Sequence, residues 1–524
     1  MIVDPISLEV FKNLFSSVAD EMGVTLRRTG YSPNIKERLD FSCAIFNVSG
    51  DMVAQAAHIP VHLGAMPLSV RQVTKELVLE PGDVAILNDP YRGGSHLPDI
   101  TMVTPIYLAR GQEQQHMGFA ANRAHHADVG GMTPGSMPVS RELYQEGLVI
   151  PPVKLITGGQ INHDVLSMIL ANVRTPDERA GDLRAQVAAN EKGSTRLVDI
   201  VEKHGADKVK FFMDALLDYA ERITRHLLAS LPDGTYTFSD YMDDDGVTDE
   251  PAVIRVEIKI QEDEAQVDFT GTALQRAGSI NAVYSITLSA VTYVFRALLR
   301  SDAPTNSGAM RAIKIIAPEG TLVNALSPAP VAGGNVETSQ RIVDVLLGAL
   351  AQAVPDCVPA ASQGTMNNIT IGGYDLAGFP FAYYETVGGG MGARPNKDGI
   401  DGIHTHMTNT LNTPVEALEY TYPFLVERYQ IRHRSGGNGF YQGGNGLIRD
   451  LRLLVPAQVT LLTDRRRHPP YGLEGGESGQ LGVNVLIRNG IEQELPGKVT
   501  LDVQAGDVIS VRTPGGGGYG KHSS

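Results

Sequence analysis

Glycine is the residue that most constrains how this chain can fold. The sequence holds 56 glycines in 524 residues, and several stand in dense clusters such as "GGNGFYQGGNG" and "TPGGGGYG". Glycine lacks a Cβ and adopts conformations closed to other residues, so this density predicts many turns and many close approaches between backbone segments. Beyond about residue 430, short apolar runs alternate with these clusters, which predicts strands joined by glycine turns.

A chain of this length is too long for one hydrophobic core, and several domains are expected. The composition is that of an ordinary globular protein, with 42% hydrophobic and 20% charged residues and a mean hydropathy of -0.09. The formal net charge of -15 argues against nucleic acid or an anionic membrane as a partner, because either would require a basic face.

Cysteine use and the N-terminal sequence bear on the compartment. Cys43 and Cys357 are the only cysteines, and two thiols so far apart do not make a disulfide framework. The opening "MIVDPISLEV" lacks the basic and apolar regions of a signal peptide, and no stretch approaches the roughly 18 uninterrupted apolar residues of a membrane span. These features predict a cytoplasmic protein with no membrane partner.

The coarse pattern predicts an α+β fold in several domains, with mixed sheets, flanking helices and a β-rich C-terminal region. Apolar residues recur at every fourth position from Ile6 to Leu26, which predicts a helix over 5–29 that begins at Asp4 and Pro5. The stretch "RLDFSCAIFNVSGDMVAQ" then predicts a hairpin. The predicted domains are an N-terminal α/β domain over 1–230 that holds a candidate metal site and a helical segment over 163–230, a strand-rich domain over 231–330, an α/β region over 331–430 and a β-rich, glycine-laced domain over 431–524.

Two loops rich in histidine and aspartate predict a metal site. The stretch "RGGSHLPDIT" places His96 and Asp99 just after a double glycine, and "ANRAHHADVGG" adds His125, His126 and Asp128. A mixed set of imidazole nitrogens and carboxylate oxygens suits Zn²⁺, Mn²⁺ or Fe²⁺ better than Mg²⁺ or Ca²⁺.

Three further residues belong to the same question. Asp40 in "KERLDFS" is a candidate ligand, because a carboxylate at the start of an apolar strand needs a partner. His58 and His62 in "HIPVHLGAM" are candidates for contacts to the ligands or the substrate, or else for core histidines. All these residues also have a simpler interpretation, since Asp and His beside glycines commonly form turns and caps. The residues alone leave that choice open.

The stretch 387–419, "VGGGMGARPNKDGIDGIHTHMTNTLNTPVEALE", is dense in Gly, Asn, Thr and His. It makes neither a good helix nor a good strand until its last residues. We name it the polar loop and expect it to bind a ligand or to contact another subunit.

The stretch "GGGGYGK" fits the G-x-x-x-x-G-K opening of a P-loop. His522, however, stands where Ser or Thr should hold a magnesium ion, and no helix is predicted to follow whose N-terminus would bind phosphate. We therefore expect a glycine-rich turn here, and ATP binding on another subunit if the chemistry uses ATP.

Several motifs together resemble the hydantoinase B family. They are, in chain order, "NDPYRGGSHLPDI", "NRAHHADVGGMTPGS", "GGNVETSQRIVD", "HTHMTNTLNTPVEALE", "RSGGNGFYQGGNG" and "TPGGGGYG". This family includes the B subunits of ATP-dependent hydantoinases and N-methylhydantoinases, the C-terminal half of 5-oxoprolinase, the caprolactamase β subunit and subunits of acetone and acetophenone carboxylases. The resemblance extends over essentially the whole chain and implies a hydantoinase B-like fold.

The resemblance also implies a cofactor and a partner. It implies a divalent metal held by Asp40, His96, Asp99 and His125, with zinc as the first expectation and manganese as the alternative. It places the ligand on His125 rather than on His126. The implied partner is an A subunit of the actin-like ATPase class that binds ATP and Mg²⁺, in a hetero-oligomer of two A and two B chains.

The reaction that the resemblance implies is ATP-dependent hydrolysis of a cyclic amide such as hydantoin, N-methylhydantoin, 5-oxoproline or a larger lactam. The partner would phosphorylate the amide oxygen, and the metal here would activate the attacking water. Asp128 or His126 would orient that water or a ligand imidazole. The alternatives are a subunit of a ketone carboxylase of the acetone or acetophenone type, and a non-catalytic scaffold for the A subunit.

Overall fold

The computed structural model of the chain describes residues 3–56, 59–110, 113–299 and 303–521. In these ranges the chain forms helices and four sheets, one of which pairs strands both in parallel and antiparallel. The predicted α+β, multidomain architecture with mixed sheets and a β-rich C-terminal region is confirmed.

The first sheet positions the candidate metal residues. Its strands are β1 (Phe41–Phe46), β2 (Met52–Gln55), β3 (Val84–Leu87), β4 (Asp99–Arg110), β5 (Glu113–His125), β6 (Val153–Thr157) and β7 (Gln160–Ile161). They lie in the order β2-β1-β5-β4-β3-β6-β7, and each neighbouring pair is antiparallel. The open end of the β4–β5 hairpin therefore brings the start of one strand beside the end of the other.

Helices cover both faces of this sheet. The α-helices are α1 (Pro5–Thr29), α2 (Pro33–Lys36), α3 (Ala65–Glu76), α4 (His163–Leu170), α5 (Pro176–His204), α6 (Ala206–Ser230), α7 (Tyr284–Leu298), α8 (Ser339–Leu350) and α9 (Val415–Thr421). Residues of α1, α5 and α6 pack with Cys43 and Ile45 of β1, whereas α3 packs with Ala44 and Phe46. Successive strand residues point to opposite faces, so every residue of β1 is buried because both faces are covered. Within the described residues, no helix combines the length and the apolar character that crossing a membrane requires.

The predicted helix over 5–29 is confirmed as α1, and the Asp4 carboxylate caps it by accepting the Ser7 N–H at 2.8 Å. The predicted buried face was partly wrong. Ile6 and Val10 are 78% and 46% exposed, whereas Phe11 lies in the core. Four residues turn a helix by about 400°, so a strict every-fourth series drifts by about 40° at each step and leaves the buried face.

The remaining strands form three further sheets. The second sheet contains β8 (Gly234–Met242), β9 (Ala252–Gln261), β10 (Glu264–Asp268) and β11 (Ile313–Ile316). The third sheet contains β12 (Asn368–Tyr374), β13 (Pro380–Thr386), β16 (Ala457–Leu462) and β19 (Lys498–Val503). The fourth sheet contains β14 (Phe424–Arg432), β15 (Gly446–Leu453), β17 (Val483–Arg488), β18 (Ile491–Leu495) and β20 (Val508–Arg512). The third and fourth sheets share one apolar cluster. Since β12 pairs with β16, the third sheet joins strands on both sides of residue 430, where the sequence predicts a domain boundary.

Glycine segments from three parts of the chain cross beside these sheets. We name this packing the glycine crossing; its segments are 388–393, 436–444 and 515–518. Gly437 N–H donates to the Gly516 carbonyl at 2.8 Å, and Gly516 N–H donates to the Gly444 carbonyl at 2.9 Å. A Cβ on Gly516 would lie 2.2 Å from the Met391 carbonyl oxygen. The expected close approach of backbone segments is confirmed here, and glycine is required by the spacing.

The last segment of the crossing also excludes a P-loop. The amides of Gly516, Gly517 and Gly518 all donate to main-chain carbonyls at 2.8–2.9 Å. A P-loop needs such amides turned toward phosphate oxygens. These amides are already bonded within the fold.

Candidate metal centre

The β4–β5 hairpin brings three predicted ligands together. Asp99 opens β4 and His125 closes β5, and the two are direct partners in the strand register. His96 reaches the same place from the preceding loop, where Gly93 has a left-handed φ of 87°. A Cβ on Gly93 would lie 2.7 Å from the Leu68 main chain, so the loop depends on glycine for its path. Strand register and loop geometry thus fix all three side chains.

His96, Asp99 and His125 form what we name the ligand trio. His96 Nε2, His125 Nδ1 and Asp99 Oδ1 lie 3.2 Å from one another in each pairing. An ion held tetrahedrally at zinc–nitrogen distances of about 2.0–2.1 Å would separate its ligand atoms by about 3.3–3.4 Å. The trio is therefore spaced as the ligands of a small divalent metal would be. The same spacing also permits hydrogen bonds if a ring nitrogen carries a proton.

Burial and charge prepare the trio for a cation. The three residues are at most 2% exposed. Burial lowers the pKa of His125, which favours the neutral imidazole that binds metals. Burial opposes ionisation of Asp99, but His96 and His62 more than offset it and hold the pKa of Asp99 well below its usual range. The ionised carboxylate of Asp99 and the neutral imidazole of His125 are the protonation states in which these two groups bind a metal.

The second carboxylate oxygen of Asp99 is held from behind. His62 Nε2 lies 3.3 Å from Asp99 Oδ2, and the Ser95 hydroxyl donates to the same oxygen. The other ring nitrogen of His62 lies 2.9 Å from Ser42 Oγ. These contacts fix the orientation of Asp99, as residues behind a metal ligand commonly do. His62 therefore contacts a predicted ligand, whereas His58 lies outside the described residues.

Asp40 lies beside the trio but outside the group whose ligand atoms all fall within 4.8 Å of one another. Its main-chain carbonyl accepts the His125 N–H at 3.0 Å. Its carboxylate lies 3.7 Å from the Arg38 guanidinium. The structure thus brings together three of the four predicted ligands, and the place of Asp40 in the metal shell stays a prediction.

His126 and Asp128 point away from the trio. His126 Nε2 lies 2.9 Å from Gln186 Oε1, and burial together with Arg179 lowers the pKa of His126 to about 4. Asp128 accepts the Gly130 and Gly135 amides and pairs with the Arg174 guanidinium at 2.9 Å. Within the described part of the chain, neither side chain forms a hydrogen bond or an ion pair with the side chains of the trio. Their predicted roles in orienting water or a ligand imidazole stay predictions, and these contacts organise the loop after β5.

Besides Ser95, which bonds to Asp99, two residues that sequence reasoning did not select contact the histidine rings of the trio. Asn335 Nδ2 lies 3.1 Å from His96 Nε2, and the amide oxygen of Asn335 is buried with no partner in the described structure. The Tyr384 ring stacks on His125, with centroids 4.4 Å apart and planes 22° apart. Asn335 belongs to "GGNVETSQ", part of one of the motifs that resemble the hydantoinase B family, and that resemblance was the available signal. Nothing in the local pattern of β13 marks Tyr384.

Asn335 stands in a π-helical turn, Gly334–Thr338, that leads into α8. Such turns occur often at functional sites. Glu337 of the same turn accepts the Asn368 amide at 2.8 Å, and Asn368 in turn accepts the Tyr384 hydroxyl at 2.8 Å. Burial raises the pKa of Glu337 to about 7. The turn therefore supports both histidines of the trio, one directly and one through Asn368 and Tyr384.

The chain belongs to the hydantoinase B/oxoprolinase family, whose sequence profile matches residues 4–522. An uncharacterized protein of Methanocaldococcus jannaschii is 44% identical, over 99% of this chain and 91% of that protein. The 5-oxoprolinase 1 of Arabidopsis thaliana is 39% identical over 99% of this chain. This chain spans only 42% of the length of that enzyme.

Solved structures show the same fold. The ATP-dependent caprolactamase from Pseudomonas jessenii matches with a TM-score of 0.92 at 30% identity, over 99% of this chain and 92% of that chain. An acetone carboxylase matches with a TM-score of 0.90 over 99% of this chain and 76% of that chain. Its identity is 19%, so this second match concerns the fold alone.

Proposed function

We propose that this chain is the metal-bearing subunit of an ATP-dependent hydrolase that opens cyclic amides. The observation that carries the proposal is the ligand trio, with its three ligand atoms 3.2 Å apart. Family membership, the 5-oxoprolinase relatives and the caprolactamase fold support this reaction class over others. We assign ATP and Mg²⁺ to a partner subunit of the hydantoinase A type. The proposed complex is a hetero-oligomer of two A and two B chains.

The roles of the residues follow from their contacts. His96, Asp99 and His125 would hold the metal, zinc first and manganese second. When bound there, the metal supplies an electrophilic centre that activates water near neutral pH. Ser95 and His62 keep Asp99 turned toward the site, and Tyr384 restricts rotation of the His125 ring. Burial around the trio excludes bulk water, which protects an amide activated by phosphorylation from unproductive reactions.

A reconstituted complex tests this function. The chain is purified with its ATP-binding partner and assayed for ring opening of 5-oxoproline, hydantoin and caprolactam with ATP. We expect ring-opened product with release of ADP and phosphate, and no turnover by either subunit alone. His96→Ala and Asp99→Ala should lower kcat by at least about a hundredfold, since ligand loss removes the metal chemistry.

His116→Ala is the matched control, because His116 lies on β5 far from its His125 end and contacts the Gly118 carbonyl. Full activity of both ligand variants would contradict the proposal. So would a complex that opens no cyclic amide and instead joins bicarbonate to a ketone, which is the carboxylase alternative. A complex whose turnover does not require this chain would leave it as a scaffold.

A further inference from the structure

The polar loop builds most of the wall of a large cavity. The cavity has a volume of about 760 Å³ and is lined from this loop by residues that include Arg394, Ile403, His404, Thr405, His406 and Thr408. Pro60, Tyr293 and Leu347 complete part of the wall from other segments. This volume lies within the roughly 300–1,000 Å³ range of small-molecule sites. The trio itself does not line the cavity.

One wall of the cavity is shared with the metal centre through the 3-10 turn Pro60–His62. Pro60 lines the cavity, and His62, two residues later, contacts Asp99 at 3.3 Å. Val61, between them, donates its N–H to the Met407 carbonyl of the polar loop at 3.2 Å. The same short turn therefore touches the polar loop, the cavity and the trio.

A second link runs through threonines. Thr408 on the cavity lies 3.3 Å from Thr410, whose hydroxyl lies 2.9 Å from that of Thr386. Thr386 accepts from the Arg38 guanidinium at 3.1 Å. Arg38 in turn lies over the Tyr384 ring, which stacks on His125. Cavity and metal centre are thus connected by an unbroken series of contacts.

The wall that the polar loop contributes offers hydrogen-bonding groups that the fold leaves unused. His404 Nδ1, Thr405 Oγ1 and His406 Nε2 are buried and have no partner in the described part of the chain. Burial lowers the pKa of His404 and of His406 to about 4, so both rings are neutral at physiological pH. Neutral imidazole and hydroxyl groups can donate to or accept from an amide.

Arg394 gives the cavity a cation. Its Nη2 donates to the Asp398 main-chain carbonyl at 2.9 Å, and its Nε is buried without a partner. Within the described residues it forms no ion pair with a carboxylate. The lining contains one carboxylate, Asp356, which is exposed to solvent. Arg394 thus brings a guanidinium with unused donors to the cavity, in a chain whose net charge is -15. Such a group favours an anionic group on the ligand.

We propose that this cavity holds the cyclic amide before it passes to the ligand trio for ring opening, and that Arg394 selects amides that carry a carboxylate. The inference rests on the proposed function for the reaction class, and it adds the pocket and the substrate feature that the pocket recognises. The ring carbons pack on Pro60, Leu347 and Ile403. The amide bonds to the wall formed by His404, Thr405 and His406, and the carboxylate pairs with Arg394.

The test is a direct binding measurement that needs no turnover. The purified chain is titrated calorimetrically with 5-oxoproline and with 2-pyrrolidinone, which has the same ring without the carboxylate. We expect the wild type to bind 5-oxoproline at least about tenfold more tightly than 2-pyrrolidinone, from the strength of a charged hydrogen bond. Arg394→Ala should remove this preference and leave 2-pyrrolidinone binding unchanged. Arg394→Lys keeps the charge but loses the paired N–H donors of the guanidinium, so this variant should recover part of the preference for 5-oxoproline.

Lys397→Ala is the matched control, because Lys397 is an exposed cation of the same loop outside the cavity lining. It should bind both ligands as the wild type does. The inference would be overturned if the wild type bound neither ligand, or if Arg394→Ala bound 5-oxoproline as tightly as the wild type does. In either case, hydrolysis of a cyclic amide by the complex would leave the proposed function intact. If Arg394 selects the carboxylate but the complex opens no cyclic amide, the pocket stands and the proposed function fails.

Discussion

Asp99 shows how single side chains in this protein are held for a task. One of its carboxylate oxygens belongs to the ligand trio, and the other is bonded by Ser95 and lies 3.3 Å from His62. A carboxylate fixed in this way loses little conformational freedom when a metal binds. His96 and His125 are similarly restricted by Asn335 and Tyr384. Metal affinity should therefore depend on these neighbours as well as on the ligands.

The first prediction concerns His62. His62→Ala should weaken metal binding by about 10- to 100-fold, because residues that orient a ligand typically contribute that much. The measurement is the metal dissociation constant from competition with a chelator, with the melting temperature recorded separately. His116→Ala should leave the constant unchanged. An unchanged constant in His62→Ala would mean that Ser95 alone orients Asp99.

The second prediction concerns Glu146, which is fully buried and accepts the Val331 and Ala332 amides at the start of the segment that carries Asn335. Burial raises the pKa of Glu146 from 4.5 to about 7. The folded state therefore binds this proton more tightly than the unfolded state. The resulting stability is present below about pH 4.5 and is lost as the pH rises to about 7.

Glu146→Gln should remove this pH dependence. The free energy of unfolding of the wild type, measured by urea titration, should fall relative to that of the variant between pH 5 and about pH 7.5, by an amount on the order of 3 kcal/mol at most. Glu142→Gln, at an exposed position nearby, controls for the loss of one charge. Parallel curves for the wild type and Glu146→Gln would show that the carboxyl titrates alike in both states.

At the scale of elements, the β4–β5 hairpin and the glycine crossing do the positioning. The stretches "ITMVTPIYL" and "HMGFAANRAHH" predict a strand pair, and the register of the resulting hairpin places Asp99 opposite His125. The same local reasoning found the helix α1 but misplaced part of its buried face, because an every-fourth pattern drifts around a helix of 3.6 residues per turn. The glycine clusters were expected at close backbone approaches. Their assembly from three distant segments has no local pattern and could not be predicted.

The third prediction concerns the glycine crossing. Gly516→Ala should destabilise the protein strongly, since the new Cβ would lie 2.2 Å from the Met391 carbonyl oxygen and main chain cannot rotate away as a side chain can. Gly506→Ala is the control. Gly506 has a φ of 93° and open space around it, so its substitution costs only the strain of a left-handed residue, about 1–2 kcal/mol. Equal melting temperatures for the two variants would show that the crossing adjusts readily.

At the scale of the whole molecule, the candidate centre is assembled from three remote parts of the chain. The β4–β5 hairpin supplies the trio, the π-helical turn supplies Asn335, and β13 supplies Tyr384. Sequence spacing found the first part because His96 and Asp99 lie close together in the chain and one hairpin joins them to His125. It missed the others because a contact across more than 200 residues, such as that of Asn335 with His96, leaves no periodic trace. The resemblance of "GGNVETSQ" to the family was the one available indication.

The central claim, that His96, Asp99 and His125 hold a divalent metal, is tested most directly by metal analysis of the purified protein. Elemental mass spectrometry is applied to the wild type, His96→Ala, Asp99→Ala and the control His116→Ala. We predict about one zinc or manganese ion per chain in the wild type and the control, and its loss in both ligand variants. A wild type that lacks metal yet supports full ATP-dependent hydrolysis with its partner, or metal retained by both ligand variants, would contradict the claim.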